Sequence, residues 1–129
     1  MNLEMVAATD NYIKFIRELR NDPITSKGFI NRELISEDSH LEYMKEKSKF
    51  YKVCLLDGMP VGYIGVIDND IRIAVHNDYR NNGIGTFMLN DILKYYPNSS
   101  AKIKVENLAS IKLFEKLGFE RKYYIYEKE

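Results

Sequence analysis

The sequence predicts an α+β fold: a mostly antiparallel, twisted sheet flanked by helices, with one parallel strand–helix–strand crossover in its second half. Three observations carry this prediction. Residues 50–75 hold three consecutive segments rich in β-branched and aromatic residues, separated by turn residues, which is the pattern of an antiparallel meander. Apolar residues at helical spacing lie before and after that block. The third strand runs through a polar, glycine-bearing loop straight into a helix, and another strand-like segment follows. Strands joined through a helix in this way run parallel. At 129 residues the chain is expected to form a single domain, 1–129, long enough to bury a core without covalent staples.

The elements follow in order. Leu3 to Val6 reads as a short strand. Thr9 or Asp10 can cap a helix reaching Asn21, with Tyr12, Ile13, Phe15, Ile16 and Leu19 on its apolar side. Asp22-Pro23 ends it, because the residue before proline avoids the helical region. Ser36 opens a second helix, with Glu37 and Asp38 suited to its first turn. Phe50 to Asp57 and Val61 to Asp68 form a hairpin across Asp57-Gly58-Met59-Pro60. Asn69-Asp70 turns the chain into a third strand, with Ile71, Ile73 and Val75 on one face. Ile84, Met88, Leu89, Ile92, Leu93 and Tyr96 make a helical stripe that Pro97 stops. Ala101 to Val105 reads as a strand, Leu108 to Leu117 as a helix capped by Asn107 with Gly118 at its C′ position, and Phe119 to Tyr126 as a last, Tyr-rich strand.

Composition removes several functions. Lys and Arg number 19, and so do Asp and Glu, so a broad electrostatic grip on nucleic acid or an anionic membrane is not expected. The single Cys54 forbids an internal disulfide and a Cys-rich zinc site, and no metal is expected. Its apolar neighbours Val53 and Leu55 suit a small core filler better than a catalytic thiol. The N-terminus lacks a basic region followed by an apolar run, and no apolar stretch approaches the roughly 20 residues that span a bilayer. A cytoplasmic location is the expectation.

The segment His76 to Thr86 carries the chemistry. A glycine loop opening a helix is an anion site on physical grounds, because the first helical turn leaves N–H groups unpaired where the dipole is positive. Gly83 and Gly85 also serve simply to ease a turn. No Lys follows Gly85, which excludes a P-loop, and Met88 stands where a dinucleotide fingerprint needs its third glycine.

Arg80-Asn81-Asn82-Gly83-Ile84-Gly85 resembles the Arg/Gln-x-x-Gly-x-Gly/Ala acetyl-CoA loop of the GCN5-related N-acetyltransferase (GNAT) superfamily. Ile73 to Tyr79 is similar to that family's strand and lead-in, with Asn77 where a proline is common. Downstream, Asn107 to Phe119 is similar to a second signature: Asn, then Ala or Ser, then Tyr-Glu-Lys-Leu-Gly-Phe. Both motifs stand in the family's order, and the likeness covers Phe50 to Phe119 well and the N-terminal helices loosely.

The resemblance implies a transferase moving an acetyl group from acetyl-CoA to a primary amine by direct attack in a ternary complex. It implies a splayed central strand pair with the pantetheine arm between. Backbone amides of Arg80, Asn81, Asn82, Gly83, Ile84, Gly85 and Thr86 would hold the pyrophosphate, Val75 would pair with the pantetheine amides, and Asn107, Ser110 and Phe114 would line the cofactor arm. Asn107 serves equally as a plain helix cap.

Phe114 stands where the family often has the Tyr that protonates the leaving thiolate, and Phe has no proton to give. Tyr63, Tyr123, Tyr124 and Tyr126 are the substitutes on offer, and packing is the simpler role for each. Asp68, Asp70, Glu106, His76 and His40 are candidate bases, none singled out by sequence, so the catalytic residues stay open. Ten residues follow Phe119, room for one strand, where larger members carry a further one. The acceptor side is therefore expected to be open, or completed by the second subunit of a homodimer. Leu19 to Asp22 and Ile35 to Leu41 look like a sub-pattern of acetyltransferases for nucleotide-linked amino sugars and for ribosomal-protein N-termini. The acceptor expected here is a small or nucleotide-linked amine, such as a 4-amino-sugar nucleotide. A protein N-terminal amine, or a degenerate module that only binds acyl-CoA, are the alternatives.

Overall fold

The computed structural model describes residues 2–27, 29 and 33–128. Strands β1 (Leu3–Ala7), β2 (Tyr51–Leu56), β3 (Met59–Ile67) and β4 (Asp70–Val75) form one sheet in the order β1-β2-β3-β4, antiparallel throughout. Helices α1 (Asp10–Asn21), α2 (Pro23–Ser26) and α3 (Glu37–Lys47) cover one face, and α4 (Ile84–Leu93) and α5 (Leu108–Lys116) the other.

Local chemistry sets the connections. Asp57 and Gly58 both have positive φ, at 49° and 86°, as do Asp68 and Asn69 at 51° and 65°. Two successive left-handed residues make the tight hairpin turn that matches strand twist, and Asp, Asn and Gly tolerate it best. The second turn thus falls at Asp68-Asn69, one residue earlier than the sequence suggests, and Asp70 already belongs to β4. The Asp22 carboxylate accepts from the amides of Ile24 and Thr25 at 2.9 and 3.1 Å, closing α1 and opening α2. Ser36 caps α3 by accepting from the Ser39 amide at 3.2 Å. At the end of α5, Gly118 takes φ 92° and the Phe119 amide returns to the Phe114 carbonyl at 3.0 Å, a helix stop that needs glycine.

Two cores lie on the two faces of the sheet. Ile16, Leu19, Met44, Val53, Tyr51, Tyr63 and Ala74 are buried on the α1/α3 side. Cys54, Val61, Ile64, Ile84, Met88, Leu89 and Ile92 are buried on the α4 side, where Ile73 and Val75 pack against them. Cys54 is fully buried there and its thiol is pushed up to about 11 by burial, so it is the core filler its neighbours predict.

Two expected strands do not form. After α4 the chain returns to β4 through one parallel bridge, Asp70 to Ser100, in which the Ile71 amide donates to the Ser100 carbonyl at 2.8 Å. Ala101 to Val105 then continues without a ladder, so the parallel crossover shrinks to this single bridge. Ala101 and Ile103 still pack on the α4-side core, which explains their alternating pattern without pairing. Phe119 to Tyr126 is likewise not a strand, and Tyr123, Tyr124, Ile125 and Tyr126 are exposed. A strand needs a partner edge, and with 101–105 out of the sheet that segment offers none to 119–126.

Candidate active site

The loop between β4 and α4 is built residue by residue. His76 starts a single 3₁₀ turn, Asn77–Tyr79, by accepting the Asp78 amide on Nδ1 at 3.2 Å. The Asn82 side-chain amide donates to the Tyr79 carbonyl at 3.2 Å, and Asn81 takes φ 68°. Gly83, at φ 75°, is the N-cap of α4 and offers no side chain to its first turn. The first intrahelical bond runs from the Phe87 amide to the Gly83 carbonyl at 3.0 Å. The amides of Ile84, Gly85 and Thr86 precede it and point out of the helix end, where partial positive charge gathers. A Cβ on Gly85 would stand 3.1 Å from Leu113 Cδ2, so the glycine also lets α5 lie close against α4.

This loop forms one end of a groove of about 1290 Å³. Val75, Arg80, Asn81, Gly83, Ile84, Gly85, Thr86, Asn107, Ser110 and Phe114 all line it; Asn82 does not, its side chain being tied back to the loop. Asn107 both lines the groove and caps α5, accepting the Ser110 amide at 3.3 Å. Phe114 is buried with its ring edge-on to Phe119, centroids 5.0 Å apart. Every residue of β4 lines the groove, because the chain leaves that edge after Ser100. The gap between β4 and 101–105 is the groove's floor. Lys102, Lys112 and Lys116 join Arg80 on this half, against one carboxylate among the described residues, Glu106.

The other half is walled by α1, α2 and α3 and carries groups the sequence does not bring together. Tyr51, Gly65 and Arg72 stand side by side in register across β2, β3 and β4. The Tyr51 hydroxyl meets the Tyr43 hydroxyl at 2.8 Å, and the Tyr51 ring tilts against Tyr63 at 6.0 Å. Burial raises the pKa of Tyr51 and Tyr63, and the Tyr43 hydrogen bond raises Tyr51 further, so both stay phenols. Burial pulls the Arg72 guanidinium down, but Tyr51, Tyr43 and Asp70 outweigh it and leave it above its ordinary value. Arg72 Nε lies 3.5 Å from Asp70 Oδ2. Arg20 completes the wall with its guanidinium 4.5 Å over the Phe29 ring.

Of the candidate bases, Asp70, Glu106 and His40 line the groove, whereas Asp68 and His76 do not. His40 is buried, with Nε2–H donating to the Ile13 carbonyl at 2.9 Å. Burial lowers its pKa, the Ile13 bond opposes this, and Arg17 adds to the lowering, so the ring is neutral at pH 7. Of the substitute acids, Tyr63 lines the groove, while Tyr123, Tyr124 and Tyr126 are exposed outside it. Sequence reasoning misses Arg72, Tyr43 and Tyr51. The available signal is Arg72 itself, a charge at the strand position between Asp70 and Ala74 whose face packs on the α1/α3 core. Among the described residues no cluster of three or more His, Cys, Asp or Glu could hold a metal, and no helix is long and apolar enough to cross a membrane.

Comparison with known proteins agrees with this geometry. The acetyltransferase (GNAT) family model matches residues 13–119. An uncharacterised N-acetyltransferase of Methanocaldococcus jannaschii is 31% identical over 96 residues, 61% of this chain and 42% of the relative. The chain therefore spans less than half the length of that curated relative. Spermidine N-acetyltransferase from Vibrio cholerae, solved with CoA and spermine, superposes with a TM-score of 0.84 at 18% identity, covering 98% of this chain and 85% of that one. A domain from Methanocaldococcus jannaschii gives 0.81 at 23% identity, covering 94% and 90%. Ribosomal-protein-alanine N-acetyltransferase from Brucella melitensis gives 0.78 at 20% identity, covering 91% and 84%. These structures share the fold, and the family match runs through both halves of the groove: the chain belongs to the acetyltransferase (GNAT) family.

Proposed function

We propose that this chain is an acetyl-CoA-dependent N-acetyltransferase acting on a small or nucleotide-linked primary amine. The observation that carries the reading is one continuous groove. It joins an uncapped α4 N-terminus and an open β4 edge at one end to a wall of hydroxyls and charges at the other. The amides of Ile84, Gly85 and Thr86 suit a pyrophosphate, with Arg80 and the lysines of that half adding charge. The open edge near Val75 suits the amides of the pantetheine arm, as an added strand would pair. Coenzyme A stands bound in the Vibrio cholerae neighbour, which supports the same use of this half.

The reaction needs both substrates in one cleft, where attack becomes effectively unimolecular. The amine nitrogen bonds to the thioester carbonyl carbon, the C–S bond breaks, and the thiolate leaves. The amine's surplus proton passes to water in the groove and the thiolate takes one from the same source. A thiol pKa of about 8.5 makes that leaving group tolerable without a phenol at Phe114. A second reading, a module that binds acyl-CoA without turnover, is favoured by Phe114 alone.

A thiol-release assay over a panel of primary amines, with calorimetric titration of coenzyme A, tests the proposal. Turnover on any amine above the hydrolytic background supports it. Tight coenzyme A binding with no amine turned over leaves the binding module, and failure to bind coenzyme A removes both readings.

A further inference from the structure

The acceptor half of the groove has a charge pattern of its own. Lys27 and Arg72 line it together with Arg20, which has partners of its own, and Asp70 is the only carboxylate lining that half among the described residues. The whole chain is neutral, so this excess is local. Four cations already serve the half beside the glycine loop, so the excess here is not needed for coenzyme A. A wall of this sign repels a polycationic amine and attracts an anionic one.

Arg72 is the residue placed to act on that difference. It stands in β4 on the face turned to Tyr51 and Tyr63, a position where a strand would ordinarily place an apolar side chain. Its side chain is nevertheless 46% exposed, so it opens to the groove. Asp70 approaches its Nε edge at 3.5 Å and the Tyr51 hydroxyl is a second hydrogen-bond partner, but a guanidinium has five donors in a fork that matches carboxylate and phosphate oxygens. Gly65, next to Arg72 in register, has no side chain, and the Tyr51 ring fills its place. The Tyr51 hydroxyl at the end of that ring steadies the arginine by hydrogen bonding. In the same wall the Thr25 hydroxyl is buried and finds no hydrogen-bond partner among the described residues. An unsatisfied buried hydroxyl is costly, and a ligand oxygen is the kind of partner that relieves it.

We infer that the acceptor is an amine that also carries a negative charge, a carboxylate or a phosphate, and that Arg72 holds that charge. The inference rests on the proposed acetyltransferase reading and names the acceptor class within it. Arg72 fixes the far end of the acceptor and so sets which amine reaches the thioester.

Four primary amines on the same three-carbon chain, with different far ends, form the test: 3-aminopropan-1-ol, β-alanine, 3-aminopropyl phosphate and 1,3-diaminopropane. The expected result is a kcat/KM at least about tenfold higher for β-alanine or the phosphate than for the alcohol, with the diamine lowest. Which of the two anions leads separates a carboxylate from a phosphate acceptor. Arg72→Gln should bring the anion-to-alcohol ratio close to one through KM, and Arg72→Lys should restore part of it. Calorimetric binding of coenzyme A to each variant reports that the fold and the donor end are intact. If none of the four is turned over, their dissociation constants in the coenzyme A complex give the same ranking. A preference for the alcohol or the diamine, or a ratio that Arg72→Gln leaves unchanged, overturns the inference while leaving the acetyltransferase reading standing. Loss of coenzyme A binding by the unsubstituted chain would instead remove the reading beneath it.

Discussion

The ring of Tyr51 lies where a side chain at Gly65 would stand: a Cβ there would come 2.5 Å from Tyr51 Cδ1 and 2.6 Å from Cε1. The two residues are cross-strand partners, with Arg72 the next partner along the same row. A glycine in a strand interior weakens the ladder and lets another group approach closely. Here the approaching group is a phenol that meets Tyr43 and sits beside a guanidinium, so one missing side chain organises the acceptor wall.

Gly65→Ala should therefore do more than add a methyl. The clash falls on ring carbons, not on the free end of a flexible chain, so Tyr51 must tilt away or β3 must shift. Overpacking of this kind typically costs about 1–3 kcal/mol. Urea denaturation should show a lower midpoint with an unchanged slope, and KM for the acceptor should rise more than KM for acetyl-CoA. Equal rises in both would place the effect outside the acceptor wall.

Gly85 sits in the first turn of α4, facing the groove and close to Leu113. Gly85→Glu puts bulk and negative charge beside the amides assigned to the pyrophosphate. Coenzyme A affinity should fall by more than about tenfold, since loss of one charge-assisted contact alone is worth roughly 1.5–3 kcal/mol. Calorimetry measures it directly. The Leu113 methyl can give way, so the variant should keep its fold by circular dichroism.

Features set by a few neighbouring residues were legible in the sequence. Asp57-Gly58 is a turn because both residues accept positive φ, and Asn107 and Gly118 bracket α5 because each satisfies backbone groups at its own end. The glycine loop was legible for the same reason. Ala101–Val105 is no strand because alternation reports which face is buried, not whether a neighbouring edge exists, and the Tyr-rich Phe119–Tyr126 has strand propensity but buries no face. Arg72, Tyr51 and Tyr43 were invisible as a site because sheet register and the packing of α3 bring them together. No local rule marks three residues from α3, β2 and β4 as neighbours.

His40 makes stability depend on pH. It is buried and donates Nε2–H to the Ile13 carbonyl, and its pKa in the folded chain lies below the ordinary 6.5. Between that lowered value and about 6.5 the unfolded chain binds more protons than the folded one. Stability is thus fully present above pH 6.5 and declines as pH falls through the window below it. Melting temperatures taken from pH 7.5 down to pH 5 should drop, and His40→Gln, which keeps a donor for Ile13, should flatten His40's share of the drop. An identical slope in the variant would assign the pH dependence to other groups.

Phe114 offers the most direct test of how the thiolate is protonated. It lines the groove at the position where the family resemblance leads one to expect a Tyr, and its ring is fixed edge-on against Phe119. Phe114→Tyr adds one hydroxyl at the ring tip without changing the ring's seat. A general acid typically contributes roughly 10²–10⁴-fold, but a thiolate whose conjugate acid has a pKa of about 8.5 leaves readily without one. The gain in kcat should accordingly be under about tenfold, with KM for acetyl-CoA little changed. The hydroxyl enters a side chain only 4% exposed, so it will lower stability unless the groove solvates it. A gain in kcat with that loss would show that the position still faces the leaving sulfur. No gain, with coenzyme A binding retained, would mean that a hydroxyl at this position does not serve the leaving sulfur.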